Sequence, residues 1–189
     1  SNKIRDVVKG FGVNVVMTKA NCLTGTDRVS EASKKIKADI FINVQGDEPL
    51  INPKDILKVI NYKKKFYDHV VNCYTTIIDE NPSNTNIPKV AINENQDLIY
   101  MSRSKIPGSK KGSKLKYNYL KQVCIYAFNK KELKSFSSAK RKSKLEMIED
   151  IEILRFLDLN IPIKMKKLKN QSLAVDTPED LKKIQKYFD

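Results

Sequence analysis

The chain is poor in the residues that staple small proteins. Its three cysteines, Cys22, Cys73 and Cys124, are far apart, odd in number and in no CxxC spacing. That pattern argues against a disulfide scaffold and for a reduced, cytoplasmic protein with core thiols. A single domain spanning residues 1–189 is long enough to bury its own core, so no staple is needed. The lone histidine, His69, lies outside every motif described below and is given no catalytic role. No run of about 18 apolar residues occurs, and the opening SNKIRDVVKGFG has no signal-peptide core. Neither a membrane span nor an export signal is predicted.

Arginine is scarce as well, with only Arg5, Arg28, Arg103, Arg141 and Arg155 present, although the net charge is +14. The excess is lysine, and it is uneven: residues 1–100 carry 14 basic and 12 acidic side chains, residues 101–189 carry 22 and 10. Lysines spread over ordinary amphipathic segments read as a solvated surface. A polyanion-binding face on the second half is the rival reading, and the dispersed distribution weighs against nucleic acid.

What is present alternates between helix and strand periods. Helices are predicted at Ile4–Lys9, at Thr26–Lys37 with Thr26 as its cap, at Lys54–Phe66 started by Pro53, at Lys130–Phe136, at Leu145–Leu159 and at Pro178–Phe188. Strands are predicted at Val13–Thr18, Ala38–Val44, Val70–Ile78, Tyr119–Phe128 and Ile163–Leu168, with a hairpin formed by Lys89–Ile92 and Leu98–Ser102. Ser104–Lys116 reads as a loop. The alternation implies an α/β fold, a mainly parallel sheet covered by helices with an antiparallel hairpin excursion.

In such sheets ligands sit beyond the carboxyl ends of strands. The apolar run Phe41–Val44 stops at Gln45, Gly46, Asp47 and Glu48. Gly46 lets a ligand approach the backbone, and Asp47 offers hard oxygens to Mg²⁺; a turn merely capped by its aspartate is the other reading. A second strand end, LAVDTPEDL, carries Asp176 ahead of a capping-box-like Thr177-Pro-Glu-Asp180. Two aspartates at two strand ends form the sparse set that Mg²⁺ uses when phosphate supplies its other ligands. The turn LTGTDRV, with Gly25, Thr26 and Arg28, suits an anion or a base edge at a helix start, or is a plain surface turn with an Asp and Arg pair.

Taken in order, TGTDRVSEA, FINVQGDEPLI, IPKVAI, YMSRSKIP, LKQVCIYAF, LEMIEDIEILRFL and AVDTPEDL resemble the 3-deoxy-manno-octulosonate (KDO) cytidylyltransferases. The resemblance implies a Rossmann-like nucleotidyltransferase fold, CTP and a 2-keto sugar acid as substrates, and CMP-KDO for lipopolysaccharide or capsule synthesis. By residue-wise carry-over it implies Asp47 and Asp176 as Mg²⁺ ligands, and Gly25, Thr26, Arg28, Gln45 and Gly46 in the nucleotide pocket. Arg103, Gln122, Tyr126 and Glu152 fall at sugar-acid positions. It also suggests a homodimer, with the hairpin as a plausible contact.

The chain departs from the pattern at Gln122, where histidine is usual, and at Ile153, where glutamine is usual; both changes are expected in the sugar pocket. An 8-amino-KDO or another nonulosonate-like acid is therefore the alternative substrate. A segment of the type PARxxSxRLPGKPL, with the first βαβ unit that carries it, has no counterpart here. An open sheet edge and weak activity of this chain alone are the expectation. A noncatalytic basic module and a sugar-nucleotide-using glycosyltransferase are the rival classes; the latter leaves VDTPED unexplained.

Overall fold

The computed structural model describes residues 1–110, 116–169, 174–175 and 177–188. Helix α1 is Asn2–Gly10, α2 Gly25–Ser33, β1 Ile40–Val44, α3 Pro53–Lys65, β2 Val70–Thr76, β3 Lys89–Ile92 and β4 Leu98–Ser102. The second half adds β5 Leu120–Asn129, α4 Lys130–Ser138, α5 Lys144–Glu149, α6 Leu154–Asp158, β6 Ile163–Lys167 and α7 Pro178–Gln185. None of the described helices is long and apolar enough to cross a membrane.

The six strands form one open sheet in the order β4-β3-β5-β2-β6, with β1 pairing β5 beside β3. The expected mainly parallel sheet is corrected here. Strands β1, β2 and β6 do run the same way, but β5, ten residues long, inserts antiparallel between β1 and β2. Among the described residues only the β2–β6 ladder is parallel. The hairpin of β3 and β4 forms as expected. Among the described residues β1 has a ladder on one side only, so its other edge is open.

Alternation along β2 and β5 divides the core between the two faces of the sheet. Val71, Cys73, Val123, Ile125 and Ala127 pack with Val59 of α3 on one face. Val70, Tyr74, Tyr126 and Phe128 pack with Leu133, Phe136 and Phe156 on the other, under α4 and α6. Helix starts are set by local chemistry: Asn52 caps α3 with Pro53 following, and Asn129, Ser143 and Thr177 each form a capping box, the last with Asp180 as its acid. The cap of α2 is Thr24 rather than Thr26, which is buried inside the helix.

Two further expectations fail for physical reasons. Val13–Thr18 is not a strand: its end is tied by side chains of α2, with Arg28 Nη1 donating to Thr18 Oγ1 at 3.0 Å and to the Lys19 carbonyl at 2.9 Å. No described strand lends it an edge. The single helix expected at Leu145–Leu159 is broken at Asp150, whose φ of 50° is left-handed. Arg103 captures the carbonyls of Glu149 (2.6 Å) and Asp150 (3.0 Å), and the break turns Glu152 toward the sheet's carboxyl end.

Candidate active site

At the carboxyl ends of β1 and β2 lies a cleft of about 1160 Å³. The acidic pair on the β1 loop divides its labour. Asp47 is exposed in the cleft, and its carboxylate makes no hydrogen bond or ion pair among the described residues. Glu48 turns inward, 7% exposed, and accepts the Cys124 N–H at 3.0 Å on one carboxylate oxygen. Its other oxygen, Oε2, is buried without a hydrogen-bond partner among the described residues.

The N–H that Glu48 takes is free because the β1 ladder ends at Val44 opposite Ile125, where Cys124 still accepts the Gln45 N–H on the same side, and on its other side β5 bulges against β2. Asn72 lies opposite Tyr126 and Cys73 opposite Val123, leaving Cys124 and Ile125 without counterparts on β2. The Asn72 amide repairs the gap by donating to the Val123 and Ile125 carbonyls at 3.2 and 2.9 Å. Its oxygen accepts Gln122 Nε2 at 2.9 Å, and the same Nε2 donates to the Tyr126 hydroxyl at 3.2 Å. The bulge thus brings Gln122, Cys124 and Tyr126 to one wall of the cleft.

Burial, with Cys124 and Glu152 nearby, pushes the Tyr126 phenol well above its ordinary value, so it is a hydroxyl at neutral pH. Burial and the Glu48 charge push the Cys124 thiol well up, which leaves it a poor nucleophile.

Glu152 and Arg103 face the same cleft, and both are already engaged. Glu152 caps α2, its two oxygens accepting the Gly25 N–H at 3.0 Å and the Thr26 N–H at 2.8 Å. The guanidinium of Arg103 donates to four carbonyls, those of Glu149, Asp150, Thr85 and Asn86. Its fork is largely occupied, and what it offers a ligand is chiefly charge. Beneath it Lys89, fully buried, donates to the carbonyls of Asn84, Ile87 and Arg103; burial, then the Arg103 charge, lowers its ammonium, while Glu149 opposes them.

Of the residues singled out in the sequence, Gln45, Asp47, Arg103, Gln122, Tyr126 and Glu152 line one cleft. Gly25 and Thr26 adjoin it through Glu152. Gly46 lies on the same loop, with open space where a Cβ would stand. Arg28 is directed at Thr18 and Lys19 instead. Ile153, expected in the sugar pocket, is a core residue 1% exposed, so of the two departures only Gln122 bears on the cleft.

Asp176 lies outside the described residues. Its neighbours Ala174 and Thr177 line the cleft, and the Val175 N–H donates to the Asp47 carbonyl at 2.8 Å. Glu48 stood in the strand-end motif without a role, and Lys89, fully buried, was missed because a buried strut gives no strand-end signal. An exposed Asp47, unpaired among the described residues and lining the cleft, fits a divalent ion that takes its remaining ligands from substrate and water.

The fold and the cleft define an α/β enzyme of the nucleotidyltransferase class. An inositol-1-phosphate CTP transferase from T. maritima superposes with a TM-score of 0.65 at 21% identity, over 98% of this chain and 70% of that one, which shows the shared fold. The sequence profile of the cytidylyltransferase family matches residues 1–168. The 3-deoxy-manno-octulosonate cytidylyltransferases of maize and Escherichia coli are 36% and 33% identical to this chain over 97% and 96% of its length. That of Rickettsia canadensis is 36% identical over 100% of it. A CMP:2-keto-3-deoxy-manno-octonic acid synthetase solved with CTP has a TM-score of 0.89 at 32% identity, over 100% of this chain and 77% of that one.

The chain belongs to the cytidylyltransferase family, among the 3-deoxy-manno-octulosonate enzymes. It spans 62% of the length of the maize relative, 73% of the E. coli protein and 76% of the Rickettsia protein. Nucleotidyltransferases of this kind generally use a divalent metal ion.

Proposed function

We propose that this protein transfers a cytidylyl group from CTP to KDO, releasing pyrophosphate and forming CMP-KDO. The observation that carries the reading is the likeness, over the whole chain, to a synthetase solved with CTP. The sugar's anomeric hydroxyl attacks the α-phosphorus in line; its oxygen forms the new P–O bond, its proton leaves to solvent, and the bond to the pyrophosphate oxygen breaks. Asp47 and Asp176 hold Mg²⁺, a role favoured by the open Asp47 carboxylate and by the way position 176 is flanked by cleft-lining residues. When bound, the ion neutralises charge that builds on the phosphate oxygens.

The remaining roles belong to the chain. The Leu23–Thr24 turn and Gln45 form the nucleotide side of the cleft, where the attacked phosphate is oriented by contacts that exclude water. Gln122, the Tyr126 hydroxyl and Glu152, which adjoins the nucleotide turn, meet sugar hydroxyls, and Arg103 with Lys142 supplies positive charge for the sugar carboxylate. Gln122 keeps the 8-amino sugar as a second reading, since its amide oxygen has no donor among the described residues and suits an amine.

The test is Mg²⁺-dependent CTP binding, followed by pyrophosphate release with KDO and with 8-amino-KDO. CTP binding that Asp47→Asn weakens at least tenfold is the expected result. CTP affinity indifferent to both Mg²⁺ and this substitution would overturn the reading, and a tenfold preference for the amino sugar would replace KDO with its relative.

A further inference from the structure

One turn of chain, from Glu152 to Arg155, grips the start of α2 from two directions. Glu152 holds the Gly25 and Thr26 amides. Three residues on, Arg155 is 1% exposed and reaches the same helix through Asp27, with Nη1 donating to Oδ1 at 3.1 Å and Oδ2 at 3.2 Å. Its other nitrogens donate to Glu146 at 2.6 Å each, and its guanidinium stacks 3.8 Å from the Phe136 ring centre. Asp27 carries the grip onward by accepting the Thr24 hydroxyl at 2.8 Å, and Thr24 with Leu23 lines the cleft. A rigid cation, anchored in the core on one side, is thus connected through one carboxylate to a cleft wall on the other.

We propose that Asp27 and Arg155 are positioning residues for the nucleotide: their buried ion pair, with Glu152 on the adjacent amides, fixes the Leu23–Thr24 wall against which CTP binds. Glu152 is also placed on the sugar side of the cleft, so both ligands share one clamp. Sugar acid engaging Glu152 and nucleotide engaging the Thr24 wall each stiffen the same turn, and each should therefore tighten the other. The proposal rests on the cytidylyltransferase reading for its ligand, while the clamp itself is testable without one.

Two variants separate positioning from plain stability. Asp27→Asn keeps shape and removes the charge that faces Arg155, whereas Glu146→Gln weakens the anchor on the side away from the cleft. The first readout is amide hydrogen exchange at Gly25 and Thr26 in the free protein; Asp27→Asn should speed it at least tenfold, and Glu146→Gln less than threefold. The second is CTP affinity by calorimetry with Mg²⁺, with and without KDO. Asp27→Asn should weaken CTP about tenfold and abolish the gain that KDO gives, while Glu146→Gln should lower Tm more than Asp27→Asn and leave CTP within twofold.

Unchanged exchange in Asp27→Asn overturns the clamp, as does CTP weakening in both variants in proportion to lost Tm. Faster exchange in a wild-type and variant pair that binds no CTP at all sustains the clamp and overturns the assigned ligand instead. Should Glu146→Gln fail to fold, Asp27→Asn alone decides, since its exchange and CTP readouts are compared directly with its own Tm.

Discussion

The protein buries a cation at each end of its sheet, and the two ends use it differently. At the amino ends of β1 and β2, Lys63 is fully buried and donates to both oxygens of Glu132 at 2.8 Å and to the carbonyls of Tyr67 and His69. Every group in that network is turned inward. Glu132 also caps α4 with Asn129, so the pair joins α3, α4 and the loop before β2. At the carboxyl ends, Arg155 makes an equally buried pair with Glu146 but sends its second contact to Asp27 and the cleft. The same desolvation physics gives a closed knot in one place and a mechanical link to a binding wall in the other. Burial pushes Glu132 up and Lys63 down even though each hydrogen-bonds the other, the mark of a pair whose environment costs nearly as much as its attraction returns.

Breaking the closed knot should have the largest effect. Lys63→Ala leaves Glu132 and two carbonyls buried without their donor, and a loss of about 3–5 kcal/mol of stability is expected. Glu132→Leu should cost a similar amount, and the double variant at least about 1 kcal/mol less than the sum of the two. Denaturant unfolding checks both, and CTP affinity in the surviving folded protein should be unchanged. Altered CTP affinity without lost stability would erase the contrast between the ends.

Asp47→Asn should give the opposite pattern. Turnover of CTP with a sugar acid should fall at least about 100-fold, equivalent to about 3 kcal/mol of transition-state stabilisation. Stability should stay within about 0.5 kcal/mol, because an exposed carboxylate that makes no hydrogen bond or ion pair among the described residues contributes little to the fold. A marked loss of Tm with turnover preserved would move Asp47 from the site to the scaffold.

The same contrast explains what could be read from the sequence. Local signals survived: apolar runs that stop at polar residues located the strand ends, and Gln45 and Asp47, read from one of them, line the cleft, whereas Gln122 there had come only from the resemblance. Capping chemistry marked Thr177 to Asp180 correctly, because that motif is complete within four residues. Long-range chemistry did not survive. The TGTDR motif suggested Arg28 as the donor for the cleft, yet Arg28 holds the preceding loop, and the acid beside it pairs with an arginine 128 positions away. The break at Asp150 was invisible because it is held by Arg103, just past the end of β4 and far back in the chain. The placement of β5 between β1 and β2 was equally hidden, since an alternating strand carries no mark of its direction.

Between the two extremes lies Glu152→Gln, which keeps size but turns one acceptor into a donor facing an N–H. One of the two amides of Gly25 and Thr26 then loses its partner, and a cost of about 1–2 kcal/mol is expected. Both stability and sugar-acid KM should move, unlike either preceding variant, since Glu152 belongs to the fold and to the cleft together. A change in Tm alone would assign it to the scaffold only.

The smallest effect should come from an ion pair whose acid is partly exposed, where solvent does part of what the partner does elsewhere. Asp97 accepts Lys164 Nζ at 2.6 Å and joins the turn before β4 to β6, with a third of its side chain exposed. The hydrogen bond from Lys164, more than the opposing burial, holds its carboxyl below the usual aspartate range. A depressed folded-state value means that the pair contributes fully above the unfolded aspartate pKa of about 3.9 and loses its contribution as pH falls through the lower folded value. Asp97→Asn should therefore cost under about 1 kcal/mol at pH 7, and the gap between variant and wild type should close below about pH 4. Thermal unfolding across pH 2–7 measures it. A gap that stays constant to pH 2 would show that the contribution comes from packing of the turn rather than from the carboxylate's charge, and would remove the partly exposed end of the series that runs from Lys63 through Arg155.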